Sequence, residues 1–151
     1  MKRVYLGLGS NLGDREAMLK SAIEQLESSD LHVLRASSIR ETAPAYVLDQ
    51  PFFLNQVVEA ETSLFPKQLL LRLKKIEIAL GRKPTRPKGP RAIDLDILFY
   101  AGAVVSMADL EIPHPGIAER RFVLEPLAEL APDLRHPVSG KTVREMLSAH
   151  L

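Results

Sequence analysis

The stretch Gly89-Pro90-Arg91-Ala92-Ile93-Asp94-Leu95-Asp96, running on through Ile97-Leu98-Phe99-Tyr100, decides how the rest of this chain is read. An extended strand turns alternate side chains to opposite faces, so Asp94 and Asp96 share a face, roughly 7 Å apart at the backbone. Ile93, Leu95, Ile97 and Phe99 are then expected on the other face. One side of this strand is oily and the other anionic. Magnesium takes hard oxygen ligands, usually one or two carboxylates completed by water and substrate phosphates. The Asp94 and Asp96 pair therefore suits a metal-bound phosphate chain, and the competing reading is a solvated sheet face.

Immediately upstream stand Arg82, Lys83, Arg86, Lys88 and Arg91 with no acidic residue among them, interleaved with Pro84, Pro87, Gly89 and Pro90. That density of proline excludes a helix or a central strand. A stiffened cationic loop leading into a carboxylate pair suits a polyanion, because arginine forks take the phosphate oxygens that the metal leaves free. Taken alone, the cations read equally as a solvated basic loop.

Further toward the N-terminus, Val4 to Leu8 reads as a buried strand broken by Gly9-Ser10-Asn11-Leu12-Gly13. Asp14 can cap a following helix whose Leu19, Ala22, Ile23 and Leu26 form one apolar stripe. His32 to Ile39 and Leu54 to Thr62 have strand character, separated by a turn-rich stretch from Thr42 to Pro51. Pro66 suits a helix's first turn, Leu69, Leu73, Ile76 and Leu80 continue its stripe, and Gly81 stands where a terminating glycine belongs. After Ile93 to Tyr100 and a polar connection, Arg121 to Leu130 is helical in pattern but carries Pro126, which predicts a short or broken helix. Thr142 with Glu145 makes a capping box for a last helix. The order strand, helix, strand, strand, helix, strand predicts an α+β fold of the ferredoxin-like kind: a mainly antiparallel sheet, helices on one side, and additional C-terminal elements.

At 151 residues the chain is expected to form one domain, 1–151. A net charge of +1 gives no global attraction to nucleic acid or membrane, so the positive charge is local to the loop. Without cysteine, disulfides, thiolate metal sites and thiol nucleophiles are excluded. The apolar run after Met1 is too short for a secretion signal, and a cytoplasmic monomer is expected.

Several other motifs carry two readings. Gly7-Leu8-Gly9-Ser10-Asn11-Leu12-Gly13 lacks the Lys-Ser/Thr ending of a P-loop and the glycine spacing of a dinucleotide fingerprint, which leaves a tight turn. His114 lies between Pro113 and Pro115 and ahead of Arg120 and Arg121, so it is either a loop histidine or a phosphate contact. Phe53 and Phe122 fit a core, yet Phe53 precedes Asn55, whose amide suits the edge of a heterocycle. Neither a Gly-x-Ser-x-Gly elbow nor a His-Glu-x-x-His helix occurs.

Taken together, Leu8-Gly9-Ser10-Asn11-Leu12-Gly13-Asp14-Arg15, Phe53-Leu54-Asn55, Gly89-Pro90-Arg91-Ala92-Ile93-Asp94-Leu95-Asp96 and Ile112-Pro113-His114-Pro115 through Arg120-Arg121-Phe122 resemble the 6-hydroxymethyl-7,8-dihydropterin pyrophosphokinase family of folate biosynthesis. The resemblance spans nearly the whole chain. It implies transfer of pyrophosphate from ATP to the pterin's hydroxymethyl oxygen, with AMP leaving and two magnesium ions held by Asp94 and Asp96. It further implies that Arg82, Arg91, His114 and Arg120 contact ATP, with Glu77 near the nucleotide. Arg82 and Arg91 join the two aspartates as catalytic residues, Phe53 and Phe122 sandwich the pterin, and Asn55 and Thr42 read its edge. The chain departs from the family pattern at Lys88, often tryptophan, and at Pro115, often tyrosine. The alternative is another magnesium-dependent nucleotidyl- or phosphotransferase on the same fold. A nucleic-acid module is disfavoured by the absence of an interleaved aromatic signature.

Overall fold

Strand β1 (Lys2–Ser10) is the middle of the sheet, because Val4, Leu6 and Leu8 point to one face and Tyr5, Gly7 and Gly9 to the other. The computed structural model describes residues 1–44, 49–81 and 91–151. In it β1 is followed by α1 (Arg15–Leu26), β2 (Leu31–Ala36), β3 (Arg40–Thr42), β4 (Phe53–Thr62), α2 (Pro66–Ala79) and β5 (Asp94–Tyr100). A hairpin of β6 (Val105–Met107) and β7 (Leu110–Ile112), a 3₁₀ turn (Ile117–Glu119), α3 (Arg121–Leu130) and α4 (Val143–Ser148) complete the chain. The sheet runs β2-β4-β1-β5 with every pair antiparallel, and β3 lies against β4. That is the expected ferredoxin-like order of an α+β fold.

Helices α1 and α2 cover the face of Val4, Leu6 and Leu8, burying Leu19, Ala22, Leu26, Leu69, Leu73 and Ile76 there. Asp14 caps α1 by accepting from the Ala17 amide at 3.1 Å, and Pro66 opens α2, as the sequence predicts. Gly81 takes the left-handed conformation, φ +92°, that ends a helix at little steric cost. The other face is not bare. Leu124 and Leu127 of α3 and Val143 and Met146 of α4 pack on Tyr5, Val57, Leu98 and Phe99, so the additional C-terminal elements form a third layer. Helices on one side only is thus corrected to helices on both.

Strict alternation along β5 also fails at one point. Tyr5 pairs with Phe99 and Leu6 with Ile97, so Leu98 is an extra residue in a bulge. Phe99 consequently turns to the α3 and α4 side, and Tyr100 takes its place toward α1 and α2. Strand β1 extends through Gly9 and Ser10, which the sequence reading gave to a turn. The stretch after Ile39 contains β3, and the polar connection after Tyr100 contains the β6–β7 hairpin, both too short to show a period. Helix α3 continues through Pro126, where burial of Leu124, Pro126 and Leu127 outweighs one missing backbone hydrogen bond.

One carboxylate lies inside the second face. Glu59 accepts from the Tyr5 hydroxyl at 2.6 Å and from Arg35 Nε at 2.9 Å, with Arg3 at 3.4 Å. Burial, then the Glu59 carboxylate, push the Tyr5 phenol up to about 12.

Because Phe99 is a fully buried member of the second-face core, Phe99→Ala is expected to cost about 3–5 kcal/mol in urea unfolding, whereas Phe52→Ala, at an exposed ring, should cost under about 0.5 kcal/mol.

Candidate active site

The third layer stops short of the end of the sheet where β1 carries Gly7 and Gly9 in place of large side chains. There a cavity of about 260 Å³ opens, floored by those glycines and lined by Thr42, Phe53, Asn55, Arg91, Asp94, Asp96, His114, Arg120 and Phe122. The pairing register sets the layout. Gly9 lies between Asn55 on β4 and Asp94 on β5, and Gly7 lies between Val57 and Asp96. Alternation had already placed the two aspartates on one face, and the structure brings them to the cavity.

On the β4 side, Asn55 Nδ2 donates to Thr42 Oγ1 at 2.6 Å, so the end of β3 and the start of β4 present one polar edge. The Phe53 ring stands beside it with the Arg91 guanidinium 5.0 Å from its centroid. Across the cavity, Arg120 lies 5.6 Å from the centroid of Phe122. Phe53 and Phe122 therefore both face the cavity, which the competing core reading did not foresee.

On the β5 side, Arg91 NH1 lies 3.7 Å from Asp94 Oδ2. Asp96 holds its proton well above the usual carboxylate range, first because burial penalises its charge and then because Asp94 adds a second negative charge; Arg120 and Arg91 oppose the shift only in part. Two crowded, partly buried carboxylates with hard oxygen donors fit a divalent cation, whose charge would remove that penalty. Among the described residues no group of three or more His, Asp or Glu side chains is placed to hold a metal ion. Among the described residues Arg91 Nε is buried without a hydrogen-bond partner, a donor that could serve an anion.

His114 is anchored by its amide, which donates to the Leu98 carbonyl at 3.0 Å, while its Nδ1–H donates to the Pro115 carbonyl at 2.8 Å. Glu77 is outside the cavity lining; its Oε2 accepts from the Leu95 amide at 2.7 Å, satisfying the outer edge of β5 between the two aspartates. Arg82, and with it Lys83, Arg86 and Lys88, lies outside the described residues.

Two features of the site are not assigned to it by the sequence, where both fall in a stretch read as a tight turn. Gly7 and Gly9 form the floor, and their spacing two and four residues after Tyr5 was the available signal. Asn11 is the second. It is 1% exposed, its Oδ1 accepts from the Arg91 amide at 2.9 Å, and its Nδ2 donates to Gln50 Oε1 at 2.8 Å and to the Pro51 carbonyl at 3.0 Å. It thus joins three segments around the cavity.

The model of the 7,8-dihydro-6-hydroxymethylpterin-pyrophosphokinase family matches residues 5–132. The chain belongs to that family. It is 49% identical over 149 residues to the 2-amino-4-hydroxy-6-hydroxymethyldihydropteridine pyrophosphokinase of Methylorubrum extorquens, covering 98% of this chain and 93% of that protein. The Aquifex aeolicus protein of the same name is 43% identical over 145 residues, covering 96% of this chain and 90% of that one. The folic acid synthesis protein fol1 of Pneumocystis carinii is 47% identical over 140 residues, 93% of this chain but only 19% of that protein, so the chain spans about a fifth of that longer relative. A crystal structure of Plasmodium falciparum HPPK-DHPS superposes with a TM-score of 0.81 at 16% identity, covering 99% of this chain and 45% of that one, which supports the fold. Beyond the family match, residues 133–151 still belong to the fold, since Val143 and Met146 are buried in its second core.

Asp96 binds its proton more tightly folded than unfolded, so without metal its contribution to stability falls as pH rises from the ordinary carboxylate range through its raised folded value. In chelator, Asp96→Asn is therefore expected to melt above the unaltered chain at neutral and alkaline pH, at about 2–4 °C per kcal/mol, with the gap closing toward pH 3. Melting curves that differ equally at every pH would rule this out.

Proposed function

We propose that this cavity binds ATP and 6-hydroxymethyl-7,8-dihydropterin together, and that pyrophosphate passes there from ATP to the pterin's hydroxymethyl oxygen with release of AMP. The observation that carries this reading is the position of Asn55 and Asp94 on either side of Gly9. A flat ring over the glycine floor has an amide edge on one strand and a carboxylate pair on the next.

The chain's own residues divide the work by chemistry. Phe53 and Phe122 supply the two aromatic walls for the pterin, and the Asn55–Thr42 pair supplies donors and acceptors at its edge. Asp94 and Asp96 would hold magnesium, two ions in this reading. When bound there, the metal supplies Lewis-acid polarisation of the β-phosphoryl group and a lower pKa for the attacking hydroxyl. Arg91, Arg120, His114 and, outside the described residues, Arg82 take the phosphate oxygens and offset the charge that develops on them. Glu77 holds the strand between the two aspartates and stands as the nucleotide-side carboxylate. Since the bond is made between two bound substrates, their alignment supplies much of the acceleration and no covalent intermediate is required. No described helix is long and apolar enough to cross a membrane. A cytoplasmic monomer is a separate part of the proposal.

Incubation with ATP, magnesium and the pterin should yield pterin-dependent AMP and the pyrophosphorylated pterin in equal amounts. Asp94→Asn and Asp96→Asn are each expected to lower turnover by on the order of 10²–10³-fold or more while the protein stays folded. Formation of ADP, or release of pyrophosphate with a nucleotidylated acceptor, would instead identify a phospho- or nucleotidyltransferase.

A further inference from the structure

Helix α3 carries Phe122 and Val123 to the cavity wall, and its first turn lacks one backbone bond. Pro126 has no N–H to donate to the Phe122 carbonyl, so one of the bonds that link the first turn to the second is missing. The turn is held from outside. Arg40 NH1 donates to Glu125 Oε2 at 2.8 Å and Arg40 NH2 to Glu129 Oε1 at 2.8 Å, so one guanidinium spans one turn of α3. Ser38 adds its hydroxyl to Glu129 at 2.5 Å and its amide at 2.8 Å, and Arg121 Nε donates to Glu125 from within the helix. Among the described residues Arg40 Nε is buried without a hydrogen-bond partner, and the side chain's ion pairs go to the two helix carboxylates.

Arg40 also has a fixed place on the opposite wall. It lies on β3 directly across from Asn55 and two residues before Thr42, on the same face of the strand. The strand that presents the Thr42–Asn55 edge is therefore the strand that grips the helix bearing Phe122. Without Arg40, Glu125 and Glu129 are like charges four residues apart, which repel on a helix. Most of the nucleotide side is held separately, with Asp94 and Asp96 on β5 and the His114 amide on Leu98; Arg120 stands between the two, its amide donating to Ile117 in the 3₁₀ turn at 3.1 Å and its carbonyl accepting from the Val123 and Leu124 amides at the start of α3.

We propose that Arg40 is a positioning residue for the heterocycle subsite, setting the gap between the Phe53–Asn55–Thr42 wall and the Phe122 wall by bridging Glu125 and Glu129. The proposal rests on the assignment of those walls to the pterin. Its effect falls mainly on the pterin, because of the proposed nucleotide contacts only Arg120 shares the start of α3, whereas a merely structural role would weaken both substrates alike.

Steady-state kinetics of Arg40→Met, Arg40→Lys and Glu129→Gln, with KM measured separately for each substrate, test it. Arg40→Met is expected to raise the pterin KM about 10-fold and leave the ATP KM within about twofold. Arg40→Lys should recover part of the loss, because an ammonium reaches one carboxylate but cannot fork to two, and Glu129→Gln should give a smaller rise confined to the pterin. An unchanged pterin KM, or equal rises in both KM values, in the variants that fold overturns the proposal. If Arg40→Met does not fold, Arg40→Lys and Glu129→Gln decide by the same criteria. Phe122→Ala in the same assay separates the two levels: an unchanged pterin KM there refutes the assignment of the wall, whereas a raised one beside an unchanged Arg40→Met value refutes the clamp alone.

Discussion

The register of the central strand is the constraint on which the rest depends. Gly9 is fixed between Asn55 and Asp94, and Gly7 between Val57 and Asp96, by backbone ladders on both sides of β1. A slip of one residue would turn Asn55 and Asp94 into the apolar layer beneath α1 and α2 and bring leucines into the cavity. What prevents the slip is the opposite face, where Val4, Leu6 and Leu8 are buried against those two helices. Hydrophobic burial on one side of the sheet thus specifies polar geometry on the other. Side chains larger than glycine would spoil the floor: a Cβ on Gly7 would lie 3.3 Å from Leu98 Cδ2, and one on Gly9 would meet Asn55 Oδ1 at 3.6 Å and begin to fill the space above it.

The same face carries two carboxylate arrangements with opposite electrostatic outcomes. Glu59 is enclosed by the Tyr5 hydroxyl and two arginines, so its burial is matched by donors. Asp96 is also removed from water, but its neighbour on the strand is another carboxylate, and the arginines that face it compensate only in part. A structural carboxylate gathers partners, while this one is left wanting a cation. Local inconsistency of that kind is tolerated where the rest of the fold is strongly specified, and functional sites are where it concentrates. The Glu59 cluster contributes to that specification by tying β4 to β1 and β2, with Arg35 reaching on to the Leu130 carbonyl at the end of α3.

Much of this was legible in the sequence. The α1 and α2 stripes, Asp14 as a cap, Pro66 and Gly81 as helix ends and the two aspartates on one face follow from local periodicity and capping chemistry, which a short window of sequence contains. What escaped was set by pairing across the sheet. The bulge at Leu98 depends on how β5 meets β1, so alternation alone misplaced Phe99. Gly7 and Gly9 read as turn residues because glycine is scored for backbone freedom, although here it is used for the space it leaves. Strand β3 exists only because β4 provides its partner, and Pro126 is accommodated only because tertiary packing holds the helix around it.

Asn11 shows why the separate motifs in this chain mean more together than apart. It follows β1 directly, yet its side chain binds the backbone at Arg91 and reaches Gln50 and Pro51, residues roughly forty and eighty positions away. A buried primary amide has two donors and an acceptor to satisfy, and leaving any of them unpaired carries a cost of about 1–3 kcal/mol. The two distant segments therefore hold Asn11 as firmly as it holds them. Arg91, which faces both Phe53 and Asp94, thereby has its backbone fixed to the end of the strand that supplies the glycine floor. The cationic segment and the carboxylate pair are adjacent in sequence, but it is this contact with the first turn of the chain that sets where the arginine stands over the cavity.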